Sequence, residues 1–347
     1  MRAATACESL DSDCSRMPTV SSHPYDRLTP EVLLSSVESV GLIPDGRILA
    51  LNSYENRVYQ LGMEEGPPLI AKFYRPERWS DAAILEEHAF ALELAAAEIP
   101  VVPPLFRGAR TLFEHEDFRF AIFERRGGRW PELQTQADRE WMGRFMGRMH
   151  MIGARTAFRH RGRLSIDQLG EQSAVFLLEQ GWIPEHLDAA YDSLTQDILE
   201  RVSAQFELAQ PLRMLRLHGD CHPGNVLWTD AGPHFVDLDD CITGPAMQDL
   251  WMLLSGSRTE MGTQLSMLLE GYTQFAEFNY AELGLVEALR SLRIIHYSAW
   301  LARRWEDPAF PRAFPWFAEP RYWENHVLAL REQLAALEEG PLELGDR

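Results

Sequence analysis

The sequence predicts an α+β chain in two unequal lobes, an antiparallel sheet with helices in front and a larger helical body behind. Short alternating apolar runs at 47–51, 58–61, 69–74, 111–114 and 118–123 all fall early in the chain. Helical spacing dominates from 137 onward, beginning with Trp141, Phe145, Met149 and Ile152. Between them Glu124-Arg125-Arg126-Gly127-Gly128-Arg129 breaks all periodicity and reads as a joint. The expected division is a disordered tail at 1–23, an N-terminal lobe at 24–124, a hinge at 125–129 and a helical lobe at 130–340.

A chain of 347 residues is long enough for two cores. Its 33 basic and 52 acidic residues leave a formal charge of -19, which opposes nonspecific binding to nucleic acid or an anionic membrane. The four cysteines, Cys7, Cys14, Cys221 and Cys241, do not form a disulfide framework at this length, and reduced thiols in a cytosol are the simplest reading. No apolar run reaches the length of a membrane span. Met1 to Pro18 lacks the charged start and apolar centre of a signal peptide, and its Ser, Asp and Thr content suggests a frayed tail.

Taken in order, Thr29-Pro30-Glu31 is a helix start, with Thr29 as N-cap and Pro30 in the first turn. Strands at 47–51 and 58–61 flank the turn Asn52-Ser53-Tyr54-Glu55-Asn56, which contains no glycine. Its backbone amides and the Ser53 hydroxyl suit phosphate oxygens, although alone it is a polar turn. Lys72 stands inside the apolar strand 69–74, where a lysine needs a partner unless the strand is an edge. Ser80 caps a helix through Ala97 whose buried stripe is Ile84, Phe90, Ala91 and Leu94. Glu87 shares that face and is preferred over Glu86 as the partner of Lys72. At the joint, Glu124 to Arg126 would meet an adenine through backbone groups, an assignment that rests on position alone.

The helical part continues through 137–152, 172–179 and 187–209. His150 reads as a hydrogen-bonded structural histidine, and Arg159-His160-Arg161-Gly162-Arg163 as a solvated loop or part of an acceptor surface. Gln248 to Leu254 starts a buried helix, and Asp249 near its N-terminus would accept backbone N–H groups and brace the preceding loop. The aromatic segments at 293–305 and 310–323 are first of all core. The cluster Trp300, Arg303, Arg304 and Trp305 is a candidate wall of a substrate groove.

The most specific stretch is Leu217-His218-Gly219-Asp220-Cys221-His222-Pro223-Gly224-Asn225, followed by Phe235-Val236-Asp237-Leu238-Asp239-Asp240. Strands at 215–217, 226–229 and 235–238, with a tight turn at 230–232, bring Asn225 and Asp237 to one end, and Asp220 arrives from the loop before. Phosphoryl transfer needs an aspartate to accept the proton of the attacking hydroxyl and oxygen ligands to hold metal on the phosphates. Asp220 is the expected base, and Asn225 and Asp237 the expected metal ligands. Any one of these residues alone would read as a turn residue.

Together with Leu51 to Gln60, Lys72 to Trp79 and Leu85-Glu86-Glu87-His88, these motifs resemble the bacterial stress-response kinase A (RdoA-type) family, over about 28–344. The resemblance implies a bilobal protein-kinase-like fold of the aminoglycoside-phosphotransferase branch. It implies a cytoplasmic, monomeric serine/threonine protein kinase using ATP and Mg²⁺. It likewise implies Asp220 as proton acceptor, Asn225 and Asp237 as Mg²⁺ ligands and Ser53 as the phosphate-loop residue. Pro223 departs from the small residue of the family, but a proline can preset a loop. A small-molecule kinase for aminoglycosides, choline or homoserine uses the same fold and residues and remains the alternative. The intact set Lys72, Asp220, Asn225 and Asp237 weighs against a non-catalytic nucleotide-binding regulator. A metal hydrolase built on His218 and His222 is weaker still, because Mg²⁺ phosphoryl chemistry needs no imidazole.

Overall fold

The computed structural model describes His23 and residues 25–345, so the expected tail, His23 apart, lies outside the described residues. The N-terminal lobe is one antiparallel sheet in the order β1-β2-β3-β5-β4. Its strands are β1 (Pro44–Ala50), β2 (Arg57–Met63), β3 (Leu69–Phe73), β4 (Phe113–His115) and β5 (Phe118–Glu124). Strand β3 is central, with Lys72 opposite Val58 on one side and Ala121 on the other. Lys72 is therefore not an edge-strand lysine, and it is 6% exposed.

Two helices clothe this sheet, each started as its sequence dictates. Helix α1 (Pro30–Glu38) has Thr29 accepting the Val32 N–H, and α2 (Asp81–Ala96) has Ser80 accepting the Ala83 N–H. Leu33 and Val37 of α1 join Leu61, Phe73, Phe120 and Ile122 in one core, where Phe73 and Phe120 stack with centroids 5.3 Å apart. Ile84 of α2 packs with Tyr74 and Ala121, while Phe90, Ala91 and Leu94 of the same helix reach the core of the larger lobe. Thus α2 carries one face into both lobes.

The larger lobe holds α3 (Gln136–Gly153), α4 (Gln172–Glu179), α5 (Glu185–Leu208), α6 (Met247–Trp251), α7 (Arg258–Tyr272), α8 (Leu285–Arg303), α9 (Ala309–Ala313) and α10 (Pro320–Glu338). Helices α3 and α7 lie so close that a Cβ at Gly143 or Gly147 would strike the backbone of Leu268 or Tyr272. A second core joins α4, α5, α8 and α10 through Leu177, Tyr191, Ile198, Leu292, Ile295 and Leu330. No helix of the described residues is long and apolar enough to cross a membrane.

Four short strands lie between α5 and α6. Strand β6 (Leu215–Leu217) pairs with β9 (Ile242–Gly244), and β7 (Val226–Thr229) pairs with β8 (Gly232–Phe235). The strand expected at 235–238 is displaced towards the turn. Gly232 takes φ +99° with the Trp141 ring where a side chain would stand, so pairing starts there and ends at Phe235. Asp237 leaves the strand altogether, at φ +60°, ψ +65°, and a short 3₁₀ turn, Leu238–Asp240, follows. The helical run expected at 310–323 is also divided, with α9 ending before Pro315 and α10 starting at Pro320.

Candidate active site

The loop after β6 is fixed by its backbone. Asp249, fully buried near the start of α6, accepts the N–H of His218 (2.9 Å) and of Gly219 (2.8 Å). His150 of α3 supports the same carboxylate at 3.1 Å and contacts the Tyr272 hydroxyl with its other nitrogen. Both residues take the structural roles expected of them. Gln248 donates to the Gly219 carbonyl, and the His218 ring donates to the Val236 carbonyl (2.9 Å), which ties the loop to the segment carrying Asp237. Met247 at the start of α6 donates its N–H to buried Glu282, whose carboxyl burial lifts to about 7.

Pro223 opens a 3₁₀ turn, Pro223–Asn225, with His222 as its cap. The His222 Nδ1 accepts the Gly224 N–H at 2.9 Å, which leaves the ring proton on Nε2, 3.4 Å from Asp220 Oδ2. Asn225 Nδ2 donates to the Asp220 carbonyl (2.9 Å) and carboxylate (3.3 Å). Arg293 of α8 donates to Asp220 Oδ1 at 2.6 Å. Burial works to raise the Asp220 carboxyl, but the His222 contact and the Arg293 charge hold it well below the usual carboxylate range. Asp220 is therefore ionised.

Across the groove, Lys72 Nζ stands 3.0 Å from Asp239, 3.2 Å from Asp237 and 3.4 Å from Glu87. Burial alone would depress the ammonium, yet Asp239, Glu87 and Asp237 together hold it well above the ordinary lysine value. One cation shared among three carboxylates leaves Glu87 short of compensation. Burial lifts Glu87 to about 7 despite Lys72 and Arg161. Arg78 pairs with Asp239 and Asp240 and takes up the remaining charge. Glu86, one residue away, faces outward and accepts the N–H groups of Arg159, His160 and Arg161 at 2.7, 2.7 and 2.9 Å. The basic run is thus no freely solvated loop. Arg161 is buried over the Trp79 ring and donates to the Cys241 carbonyl.

Asp237 holds a left-handed backbone conformation that aspartate tolerates better than most residues and that clusters at functional sites. Asp220 with Asn225, and Asp237 with Lys72 and Glu87, form two clusters tied by the Val236 N–H on the Asn225 carbonyl at 3.0 Å. Ser53 is not brought to them, since its hydroxyl donates to the Asn56 carbonyl at 3.1 Å inside its own turn. That turn is latched to the helical lobe instead. Glu55 accepts from the Trp300 indole (2.7 Å) and pairs with Arg75 (3.0 Å) and Arg304, while Tyr54 packs on Phe314. Beside it Asp307, between α8 and α9, gathers Arg57 (3.0 Å), Arg75 and the ring of His23 (3.1 Å). Trp300 and Arg304 therefore grip the turn, whereas Arg303 lies over Phe176 and Trp305 packs on Phe317.

The side chains of Glu124 and Arg126 pair with each other at 2.8 Å and line a cavity of about 420 Å³ with Ile99, Val101 and His234. Neither side chain touches Lys72, Asp220 or Asp237 among the described residues. Cys221 and Cys241 are free and buried.

Sequence reasoning missed Asp239, Arg78, His222 and Arg293 as members of the site. The repeated acid in Asp237-Leu238-Asp239-Asp240 signals a second carboxylate; Arg293 has no local signal at all. The oxygen donors present fit a hard divalent cation. Asn225 spends its amide nitrogen on Asp220 and the Asp237 side chain is half exposed, while the buried Asp239 Oδ1 is already met by Lys72 Nζ at 3.0 Å.

An aspartate with an asparagine, and beside them a lysine-held aspartate, are the residue types that phosphoryl transfer uses. Residues 47–286 match the phosphotransferase enzyme family. Stress response kinase A of Escherichia coli is 43% identical over 320 residues, covering 92% of this chain and 97% of that protein. The serine/threonine protein kinase RdoA of Salmonella typhimurium is 44% identical over 321 residues, with the same coverage. The chain belongs to the phosphotransferase enzyme family and, within it, to the stress response kinase A group. Among solved structures, an amicoumacin kinase in complex with AMP-PNP, Ca²⁺ and its antibiotic superposes with TM-score 0.68 at 19% identity, covering 93% of this chain and 96% of that one. An aminopropanol kinase gives 0.67 at 17%, covering 89% and 97%. At those identities they show the shared bilobal fold.

Proposed function

We propose that this kinase is an ATP- and Mg²⁺-dependent serine/threonine protein kinase of a bacterial stress response, acting in the cytoplasm as a monomer. The observation that carries the reading is the convergence of Lys72, Glu87 and Asp237 on one wall of the groove with Asp220 and Asn225 on the other. The 43–44% identity to stress response kinases over nearly the whole chain favours a protein acceptor over a small molecule. The lobes would divide at 125–129, and the nucleotide would lie between them.

Each residue has a definable task. Lys72, positioned by Glu87, would neutralise phosphate oxygens of ATP. The Ser53 turn would cover the phosphates through backbone amides, and the 124–126 backbone would meet the adenine. Asn225 and Asp237 would hold Mg²⁺, which supplies charge neutralisation on the phosphates. The acceptor oxygen attacks the terminal phosphorus as its proton passes to Asp220, the bond to the bridging oxygen breaks, and ADP leaves.

Asp220→Ala tests the assignment. Loss of a general base costs roughly 10²–10⁴-fold in turnover, while nucleotide affinity should change little. Wild-type-like turnover in that variant would refute the role. Radiolabelled ATP offered with protein acceptors beside aminoglycosides and choline tests the acceptor class, and label on the small molecules alone would overturn the protein-kinase reading.

A further inference from the structure

We propose that Arg293 is a specificity residue for the acceptor, selecting a serine or threonine whose neighbour in the chain carries a carboxylate or phosphate. The inference rests on the protein-kinase reading above and deepens it by naming a substrate class.

Position comes first. The Arg293 guanidinium donates to the very oxygen, Asp220 Oδ1, beside which an acceptor hydroxyl must arrive. Any acceptor that reaches the base is therefore within reach of this guanidinium. Helix α8 presents Arg293 with its side chain 41% exposed, so the group borders the open groove. One turn further on, Tyr297 is exposed and stacks with Trp300, centroids 5.8 Å apart and planes within 21°. Trp300 in turn donates to Glu55 of the 52–56 turn. The exposed face of α8 thus runs from the base to that turn as a cationic and aromatic strip, a surface on which a peptide backbone can lie.

Charge comes second. Carboxylates at this end of the groove are matched by the chain's own cations: Glu55 by Arg75 and Arg304, Asp239 by Lys72 and Arg78, and Asp240 by Arg78. A cationic amino-alcohol or aminoglycoside would have to compete with guanidinium groups already in place. Arg293 has the opposite surplus. Its bond to Asp220 is the only hydrogen bond of its side chain among the described residues, so four of its five N–H groups have no protein acceptor. A planar guanidinium with free donors is the preferred partner of a carboxylate or phosphate, which it can take in a two-pronged contact. The overall charge of -19 is no obstacle, because the contact is local and short.

The test is a set of serine peptides differing only beside the acceptor, with glutamate or phosphoserine, an uncharged residue, or lysine. They are assayed with the full chain, ATP and Mg²⁺. The wild type should favour the acidic peptides over the uncharged ones by about tenfold in kcat/KM, mainly through KM. Arg293→Gln should bring that ratio close to one, Arg293→Lys should keep part of it, and Arg293→Glu should turn preference towards the lysine peptide. A merely structural role would lower turnover on every peptide alike without changing the ratio. Peptides labelled with no regard to charge by the wild type, or a ratio unchanged in Arg293→Gln, would overturn the proposal while leaving the protein-kinase reading intact. No label on any peptide or protein, with label on small alcohols, would overturn both. Nucleotide binding measured by calorimetry shows that each variant is folded. Should Arg293→Glu fail to bind nucleotide, the wild-type ratio and Arg293→Gln still decide.

Discussion

The two walls of the groove are held in opposite ways. On the helical side, the Asp220 loop hangs from neutral backbone donors that point at two buried carboxylates, Asp249 and Glu282, through α6. On the sheet side, Lys72, Glu87, Asp237, Asp239 and Arg78 form a charge network in which Glu87 and Asp239 each face two cations, while Asp237, half exposed, faces Lys72. The first arrangement has no redundancy, because among the described residues no second acceptor serves the His218 and Gly219 N–H groups. The second can lose a member and rebalance. One wall should therefore break as a fold and the other as chemistry.

Asp249→Ala should have the largest effect. It strands two buried N–H groups and the His150 ring, a loss of about 3–5 kcal/mol. Denaturant unfolding should show it, with phosphotransfer lost as well. A variant with wild-type stability would dissolve the contrast. Lys72→Met should come next. Phosphotransfer should fall roughly 10²–10³-fold, as when one preorganised cationic donor is removed. Stability should fall by less than the roughly 3–5 kcal/mol of an unshared buried pair, because Arg78 still faces Asp239 and Arg161 still faces Glu87. Loss of folding comparable with Asp249→Ala would show that the network is not redundant.

The smallest effect sharpens the contrast through pH. Glu282 and Glu87 both sit near pKa 7, well above their unfolded value of 4.5, but only Glu87 has cations beside it. A raised carboxyl contributes stability that is present below 4.5 and lost as pH rises through 7. Glu282→Gln cannot ionise, so its stability relative to wild type should climb between pH 4.5 and 7, by up to about 3 kcal/mol, and then level off. Thermal unfolding across that range measures it, and a difference that stays flat would place Glu282 outside the buried, uncompensated class.

What could be read in advance follows the range of the physics. Asp220 and Asn225 stood out as candidates because phosphoryl transfer demands an acid and an oxygen donor at short spacing. Asp249 was legible from its place at a helix N-terminus, and Glu87 from the phase of α2. The strand expected at 235–238 was set three residues too late because Gly232 fits under the Trp141 ring, a contact between residues far apart in sequence. Arg161 looked like part of a solvated run because its partners, Trp79 and Cys241, come from other elements. Arg293 lies 73 positions beyond Asp220, in a helix whose pattern is otherwise that of a core element. Pro315 and Pro320 did mark the break between α9 and α10, and the aromatic content of 310–323 masked it.

Asp307 lies in the helical lobe, while Arg57 and Arg75 belong to the sheet lobe. Glu55 and Arg304 repeat the motif with the signs exchanged. On the proposed reading, parting the lobes to exchange nucleotide would mean drawing unlike charges out of a shared, poorly hydrated seam. Dissolved salt eases that separation by screening the charges as they emerge. Added electrolyte should thus hasten product escape, which a nucleotide-release measurement across ionic strength would show.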